Sequence, residues 1–407
     1  MLQNILIINQ PLGNRGDESA HRALVRKLNE ALPNVKITTL FVGYKKDAVD
    51  SFIVDHPNNL YVNYSYNHNL ASIDIAKWGM RLGMPWLAAY IHPRLHELLK
   101  HYRQADIVLS APGGICMGGF QNWLHLFYLY LAKHYKKPLI YYSRSFGPFP
   151  TNSFWNKRFR NFSLDILRYF AFLSIRDKQT MQLADILGVP YVPAIDTAFL
   201  DVPKVKLPEF SWKNDDYVVF VPNSLTWHYA YKKYTQKVID NFYIKLIQII
   251  HYRYPNHRII MLPQLCNCGE KGDYHYFIHL KELSNEKDRI VVVPETYSSD
   301  VQQAIVRKAS FMIGARYHSI VFAINNQCPF IALNYEHKIA GLLELLNLST
   351  QKVDIMNIFD SEISIQNTLQ NIELCINQTQ NKLCASQKEA HYKARNCFES
   401  LLLNIIE

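Results

Sequence analysis

Apolar runs of strand length alternate along most of the chain with longer segments whose apolar residues recur every three to four positions. Runs such as Ile5-Leu6-Ile7-Ile8 and Tyr217-Val218-Val219-Phe220-Val221 have no polar face. Such runs suit strands covered by helices on both sides, and the alternation predicts an α/β protein built on parallel sheets. In the first half it predicts strands at 4–10, 36–42, 106–111, 138–143 and 172–176. Helices are predicted near 18–32, 122–134, 156–170 and 178–187. Over 200–216 the periodicity lapses, with Pro203, Pro208 and Trp212 among short charged stretches, and this reads as a linker. A second series follows, with strands at 217–221, 258–262, 290–293, 311–313 and 330–333 and helices near 234–254, 274–285, 299–308 and 337–346.

The expected architecture is two doubly wound, Rossmann-like domains facing a cleft. An N-terminal α/β domain spans residues 1–200, a linker 201–216, a C-terminal α/β domain 217–350 and a helical tail 351–407, which packs outside or crosses back to the first domain. In open α/β sheets ligands bind beyond the carboxyl ends of the strands, so functional residues are expected there.

The length of 407 residues supports two domains, because a single core stops growing at roughly 250–300 residues. Hydrophobic residues at 49% and charged residues at 19% suit a globular enzyme and exclude a disordered or fibrous chain. The start, Met1-Leu2-Gln3-Asn4-Ile5, lacks the basic flank of a signal peptide and reads as the approach to a strand. No stretch approaches the roughly 18–20 apolar residues of a spanning helix. Seven cysteines, an odd number without a repeating pattern, favour a reducing compartment, and the expected location is the cytoplasm. A net charge of +10 with 26 tyrosines points to a negatively charged partner without choosing among nucleic acid, anionic membrane and phosphorylated substrate.

The sharpest candidate chemistry lies at residues 310–338. A predicted strand runs into Gly314-Ala315-Arg316-Tyr317-His318-Ser319, and the buried helix that follows is stopped by Asn325, Asn326 and Pro329. Arg316 and His318 therefore sit at a strand-to-helix turn, where free N–H groups and the helix dipole attract phosphate or carboxylate. The guanidinium of Arg316 adds a planar fork matched to either anion. The next strand ends at Asn334-Tyr335-Glu336-His337-Lys338, bringing Lys338 to the same edge. The competing reading pairs Arg316 with a structural carboxylate, makes His318 a helix cap and leaves Lys338 solvated.

Four other segments carry candidates. Leu12-Gly13-Asn14-Arg15-Gly16-Asp17-Glu18 opens the first helix; its spacing departs from a dinucleotide fingerprint, and Asp17 reads either as a cleft residue or as a helix cap. Gly113-Gly114 and Met117-Gly118-Gly119-Phe120-Gln121-Asn122-Trp123 join a glycine-lined loop to an amide and an indole, suited to a sugar or to a tight turn with core aromatics. Cys266, Cys268, His275 and His279 loosely imitate zinc ligands, but a C-x-C pair without a hairpin is a poor metal knuckle, and no metal is expected; Gln264 and Asp273 are the better cleft candidates there. The run from Trp155 to Phe162 mixes cations with aromatics and reads as an amphipathic core helix or, together with 78–91, as a face for an anionic membrane.

Gly13-Asn14-Arg15-Gly16-Asp17-Glu18 with Ala23-Leu24, Gly113-Gly114, Arg176-Asp177, Asp196-Thr197-Ala198-Phe199, Leu262-Pro263-Gln264, Arg316-Tyr317-His318-Ser319 and Tyr335-Glu336-His337-Lys338 together resemble the polysaccharide pyruvyltransferase family. Their order and spacing fit from about residue 5 to residue 348. The resemblance implies a GT-B-like fold, phosphoenolpyruvate as donor, no further cofactor, and as acceptor a sugar of a polysaccharide, capsule or exopolysaccharide, or of its polyprenyl-diphosphate-linked precursor. The implied product is a pyruvate ketal, by family habit on the 4- and 6-hydroxyls of galactose or a related hexose. Nucleic acid is not an implied partner, and a lipid-linked acceptor would place the protein peripherally on the inner face of the cytoplasmic membrane.

Residue by residue, the resemblance places the family's Arg-x-His signature on Arg316 and His318 and its lysine on Lys338. Together with the reading of the residues themselves, Arg316 and His318 are the expected catalytic pair, Arg316, Lys338, Asn223, Ser319, Gln264 and Arg144 are expected on phosphoenolpyruvate, and Asn14, Asp17, Glu18, Gly113, Gly114, Gln121 and Trp123 on the acceptor. One departure stands out: many members carry an arginine where this chain has Asn223, so Lys338 or a first-domain cation such as Arg144 must compensate, or Asn223 binds the sugar. The alternatives to pyruvyl transfer are a nucleotide-sugar glycosyltransferase and a non-catalytic saccharide-binding protein, since fold does not fix function.

Overall fold

A computed structural model describes residues 2–42, 49–64, 70–266, 268–376 and 383–406. The chain divides into two compact units. The first comprises Met1–Leu12, Asp17–Asp201 and Tyr392–Glu407; the second comprises Gly13–Gly16 and Val202–His391.

The first unit is built on a seven-stranded parallel sheet. Its strands are β1 (Asn4–Ile8), β2 (Lys36–Val42), β3 (Asn59–Tyr64), β4 (Ile107–Ser110), β6 (Leu139–Tyr141), β8 (Phe172–Ile175) and β9 (Val192–Pro193), in the order β3-β2-β1-β4-β6-β8-β9. Alternate residues of β1 enter opposite cores, as the strand period of two requires. Ile5 and Ile7 pack with Leu24, Val25 and Leu28 of helix α1 (Arg15–Ala31) and with Phe398 and Leu401 of the last helix. Leu6 and Ile8 pack on the other face with Met80, Leu98 and Leu126. Each buried Phe or Leu of this kind stabilises by about 1.5–3 kcal/mol relative to exposure, so the chain end is held to the first sheet by its apolar face.

The predicted strand at 138–143 is in fact two structures. Leu139–Tyr141 belongs to the main sheet, Ser143 takes a left-handed backbone (φ 46°), and Arg144–Gly147 forms strand β7 of a separate two-stranded parallel sheet with β5 (Gly113–Gly118). The turn is fixed by Ser143, whose N–H donates to Ser174 Oγ at 2.7 Å and whose hydroxyl donates to the Ile195 carbonyl at 2.6 Å. The sequence pattern also missed β3 and three consecutive helices, α2 (Leu70–Leu82), α3 (Pro85–Ile91) and α4 (Pro93–Gln104). Trp78, Leu82, Trp86 and Ile91 are exposed, so apolar residues lie on both sides of these helices and blur the amphipathic period. Helices α5 (Trp123–His134), α6 (Phe154–Leu167) and α7 (Lys178–Leu187) complete the described cover, near their predicted positions.

The second unit carries a six-stranded parallel sheet. Its strands are β10 (Tyr217–Val221), β11 (Arg258–Met261), β12 (Ile290–Val292), β13 (Phe311–Gly314), β14 (Phe330–Asn334) and β15 (Lys352–Asp354), in the order β12-β11-β10-β13-β14-β15. The described helices are α8 (Gln236–Arg253), α9 (Asp273–Leu283), α10 (Ser299–Lys308), α11 (Tyr317–Asn325), α12 (His337–Leu345), α13 (Glu362–Ile376) and α14 (Leu383–Ile406), the last passing from this unit into the first. Two features depart from the expected boundaries. The sheet runs past residue 350 to include β15, and residues 202–216 are fastened to this unit, with Trp212 buried and stacked on Phe210 at 4.3 Å and the Arg307 guanidinium donating to the Pro203 carbonyl at 2.7 Å. Strand order reverses between β10 and β13, which pair with Val221 opposite Gly314, so the carboxyl ends of these two strands form the switch point of the sheet.

Candidate functional site

At that switch point β13 ends at Gly314, and Arg316 takes an extended backbone (φ −121°, ψ 133°) as the N-cap of α11. The Ser319 hydroxyl closes the turn by donating to the Arg316 carbonyl at 2.6 Å. A Cβ on Gly314 would collide with that hydroxyl, which explains glycine at the strand end. Ser319, expected on the donor, is 1% exposed and directs its proton to the backbone, so it sets the turn that carries Arg316 and His318.

Arg316 is buried against Asp273, its Nη2 donating to Asp273 Oδ1. The other oxygen of Asp273 accepts the N–H groups of Gln264 at 3.0 Å and Leu265 at 2.9 Å. One carboxylate thus ties the loop after β11 to the first turn of α11. Burial opposes the charge of Arg316, but Asp273 together with the Tyr335 and Tyr243 hydroxyls outweighs it and holds the guanidinium above its usual pKa. The structural carboxylate of the competing reading is therefore present, yet Arg316 Nε has no partner among the described residues. A buried N–H without an acceptor costs roughly 1–3 kcal/mol, and a ligand carboxylate or phosphate at that edge would remove the cost.

Asn223 is fully buried. Its Oδ1 accepts the Leu225 N–H at 3.2 Å and the Trp227 indole N–H at 2.9 Å, and its Nδ2 donates to the Ala315 carbonyl at 3.4 Å. The expectation that it binds donor or sugar is corrected: its amide links the ends of β10 and β13 and aims Trp227. Trp227 stands half exposed with the Arg316 guanidinium 6.0 Å from its ring centre, and it meets Tyr335 edge-on at 6.2 Å. Tyr335 donates to Glu336 at 3.1 Å and also meets His228, whose pKa burial lowers. Lys338 lies on the first turn of α12, partly exposed and 4.0 Å from Glu336. Trp227, invisible as a site residue in the sequence, is thus the side chain that touches both the Arg316 and the Tyr335 strand ends.

His318 lies on the first turn of α11 with 8% exposure. A Cβ at Gly16 would overlap imidazole Cγ, Nδ1 and Cδ2, so this glycine leaves the space that the ring fills. The loop that brings Gly16 there is stitched to the segment after β11. Asn14 bridges Leu265 in antiparallel fashion, the Cys266 N–H donates to the Gly13 carbonyl at 2.9 Å and the Arg15 N–H donates to the Gln264 carbonyl at 2.9 Å. Asn14, expected on the acceptor side, belongs to the second unit, where its Oδ1 accepts the Gly16 N–H at 2.7 Å. Gln264 binds Gln302 through Nε2 at 2.6 Å while its Oε1 is buried without a partner among the described residues. Glu295, just past β12, is a further residue that sequence reasoning missed; burial raises its carboxyl pKa, against the influence of His275 and Arg15.

The remaining candidates lie in the first unit. Asp17 and Glu18 occupy the first turn of α1, Glu18 fully buried. A Cβ on Gly113 would meet Pro11 at 2.8 Å and lie 3.5 Å from Asp17 Oδ1, and the Gly114 carbonyl accepts from Arg144 Nε at 3.1 Å. Gln121 donates to Asn156 at 2.6 Å. Trp123 is 5% exposed, edge-on to Phe159 at 5.0 Å and Trp155 at 6.1 Å, so its ring is core and offers no open face for a sugar. Arg144 is 1% exposed and donates to the carbonyls of Asn9, Ala111 and Gly114; it braces the β1 and β4 loops, which the compensating role proposed for it did not foresee.

Among the described residues no group of three or more His, Cys, Asp or Glu is placed to hold a metal ion. His279 instead contacts Asp240 at 2.8 Å, and burial pushes the Cys266 thiol up to about 12.

The sequence profile of the polysaccharide pyruvyl transferase family matches residues 14–337. The amylovoran biosynthesis protein AmsJ of Erwinia amylovora is 23% identical over 402 residues, covering 91% of this chain and 92% of that protein. Among solved structures, the UDP-GlcNAc 2-epimerase from Neisseria meningitidis bound to UDP-GlcNAc superposes with a TM-score of 0.59 at 11% identity, covering 99% of this chain and 100% of that one. The Methanocaldococcus jannaschii UDP-GlcNAc 2-epimerase in complex with UDP-GlcNAc and UDP gives 0.56 at 14% identity, over 98% and 100%. These likenesses show a GT-B-like fold.

Proposed function

The chain belongs to the polysaccharide pyruvyl transferase family, and from that premise we propose that it transfers a pyruvyl group from phosphoenolpyruvate to two hydroxyls of one sugar, releasing phosphate. The observation that carries the reading is the turn at the end of β13, where a buried, ion-paired Arg316 keeps an unclaimed Nε–H and His318 occupies the same helical turn. Phosphoenolpyruvate brings a carboxylate and a phosphate on one enol. Arg316, with the N-terminus of α11, takes one anionic group, and Lys338 on the neighbouring helix takes the other.

In this reading a proton adds to the methylene carbon, the central carbon becomes oxocarbenium-like, and the first sugar hydroxyl attacks it as its proton leaves. The carbon–oxygen bond to phosphate then breaks, and the second hydroxyl closes the ketal with loss of its proton. Atoms and charge balance without an oxidant or reductant. His318 is the proton carrier, since an imidazole gives and takes protons near neutral pH. The acceptor is a hexose, such as galactose bridged at its 4- and 6-hydroxyls, in a polysaccharide or its polyprenyl-diphosphate-linked precursor. The relative named for amylovoran biosynthesis supports a place in polysaccharide assembly. The test is mass spectrometry of a lipid-linked saccharide after incubation with phosphoenolpyruvate. A gain of one pyruvic acid minus water, with stoichiometric phosphate release, is expected; sugar addition from a nucleotide sugar instead would overturn the proposal in favour of a glycosyltransferase.

No helix among the described residues is long and apolar enough to cross a membrane. A lipid-linked acceptor would nonetheless be met at a bilayer, and one face of the first unit suits that encounter. Trp78, Phe120, Phe154 and Trp155 are exposed; Trp78 and Phe154 both contact Trp155, and the Arg81 guanidinium lies 4.9 Å from the centre of Trp78. Aromatics with interleaved cations favour the interface of an anionic bilayer. The protein is expected to co-sediment with phosphatidylglycerol vesicles at low salt. The double variant Trp78→Ser, Phe154→Ser should lower the bound fraction at least fivefold, and wild-type protein left in the supernatant would refute the docking.

A further inference from the structure

The sheet of the first unit has its own switch point. β1 pairs with β2 on one side and β4 on the other, so the carboxyl end of β1 is where a ligand of this sheet is expected. A cavity of about 130 Å³ opens there, lined among others by Asn9 and Gln10 after β1, Cys116 on β5, His125 on α5 and Arg144 on β7. At roughly 30 Å³ per water, this is the space of about four waters, enough to admit the acidic group and the adjoining edge of a sugar.

Three observations make it a built site. Arg144 is 1% exposed, yet its partners are the carbonyls of Asn9, Ala111 and Gly114 and the sulfur of Cys116, none of them a carboxylate. Buried charges are ordinarily paired, because desolvation costs several kcal/mol per ion. These bonds engage Nε, both hydrogens of Nη1 and one of Nη2, leaving one Nη2–H. Second, His125 Nε2 and Gln10 Oε1 are buried without a partner among the described residues, on residues 3% and 4% exposed. Third, Asn9 holds a left-handed backbone (φ 61°) that presents its carbonyl to Arg144 at 3.2 Å, a conformation asparagine tolerates better than most residues. Burial and Arg144 keep the His125 pKa well below its usual value, so the ring is neutral and offers a hydrogen bond without adding charge.

We propose that this cavity is a subsite for an acidic sugar of the acceptor, its carboxylate or phosphate on Arg144 and its hydroxyls on His125 and Gln10. The identification of the ligand as a sugar rests on the saccharide-acceptor reading above, whereas the anion preference rests on a buried guanidinium whose hydrogen-bond partners among the described residues are carbonyls and a thiol. None of the three cavity-facing residues other than Arg144 belongs to the set expected from the sequence.

Saturation-transfer NMR on the full chain tests it, with glucuronate, glucose 1-phosphate and galactose as probes. Wild-type protein should bind at least one acidic probe tenfold or more tightly than galactose; glucuronate alone assigns a carboxylate and glucose 1-phosphate alone a phosphate. Gln10→Glu would place a carboxylate opposite Arg144 and should abolish the preference. His125→Phe, which fills the cavity, should weaken the acidic probe at least fivefold with an unchanged far-ultraviolet dichroism spectrum. Equal binding of acidic and neutral probes, no binding of any probe, or a preference that survives Gln10→Glu would overturn the proposal. If instead the preference holds while no saccharide is ever pyruvylated, the donor chemistry fails and this subsite stands.

Discussion

His318→Ala is expected to fold and to lose pyruvyl transfer by roughly two to four orders of magnitude, the range of a general acid–base group. Folding should survive because α11 is anchored by Ile320, Val321, Phe322, Ala323 and Ile324, all fully buried, and not by the imidazole. The companion variant Gly16→Ala separates position from chemistry. Its new Cβ would occupy the space of the ring atoms Cγ, Nδ1 and Cδ2, so His318 must swing away or the 13–16 loop must lift from the segment after β11. A displacement of about 1 Å at a reacting group costs on the order of 10²-fold, so Gly16→Ala should approach the loss of His318→Ala while keeping the imidazole. The double variant should be no worse than His318→Ala alone. Single-turnover phosphate release, with thermal melts as controls, measures all three. Near wild-type turnover in His318→Ala would remove the histidine from the mechanism, and additive losses in the double variant would break the link to Gly16.

That link shows what a sequence displays and what it hides. Strand β10 and helices α7 and α10 lie where the pattern puts them, because a fully apolar run has one interpretation between two helical layers and the helices carry caps. Asp177 accepts the Thr180 N–H at 2.8 Å, Ser298 accepts the Val301 N–H at 3.4 Å, and Gly188 ends α7 in the left-handed region. The turn bearing Arg316 and His318 was legible for the same reason: a strand followed at once by a buried helix fixes where polar residues emerge. The partners of those residues were not. Gly16 and His318 are 302 positions apart (318 − 16), and nothing in an N-R-G-D loop says which ring its glycine must admit. Asn223 reads from the sequence as a missing arginine or as a sugar ligand, whereas its buried amide serves two N–H donors that only the folded turn brings near. Trp123 suits a sugar platform or a core aromatic equally in the sequence, and Phe159 and Trp155 packed against it decide for the core.

The second large effect concerns the buried pair. Removing one member of a buried ion pair costs about 3–5 kcal/mol, because the other is left charged and unpaired. Arg316→Ala should fall at the lower end, since the stranded Asp273 still accepts the N–H groups of Gln264 and Leu265 through its other oxygen. Asp273→Ala should fall at the upper end, because it leaves both the Arg316 guanidinium and those two N–H groups without their acceptor. For a unit of this size each kcal/mol shifts the melting temperature by about 2–4 °C, so losses of roughly 6–12 °C and 10–20 °C are expected. Activity should order the two variants differently. Arg316→Ala also removes the Nε–H reserved for the donor, so its KM for phosphoenolpyruvate should rise at least tenfold. Asp273→Asn keeps an oxygen for the two N–H groups and should retain most of the stability while loosening the guanidinium. A melt in which Arg316→Ala is the less stable variant would mean that Asp273 is held chiefly by its arginine, and the loop after β11 would lose its place as the second anchor of the site.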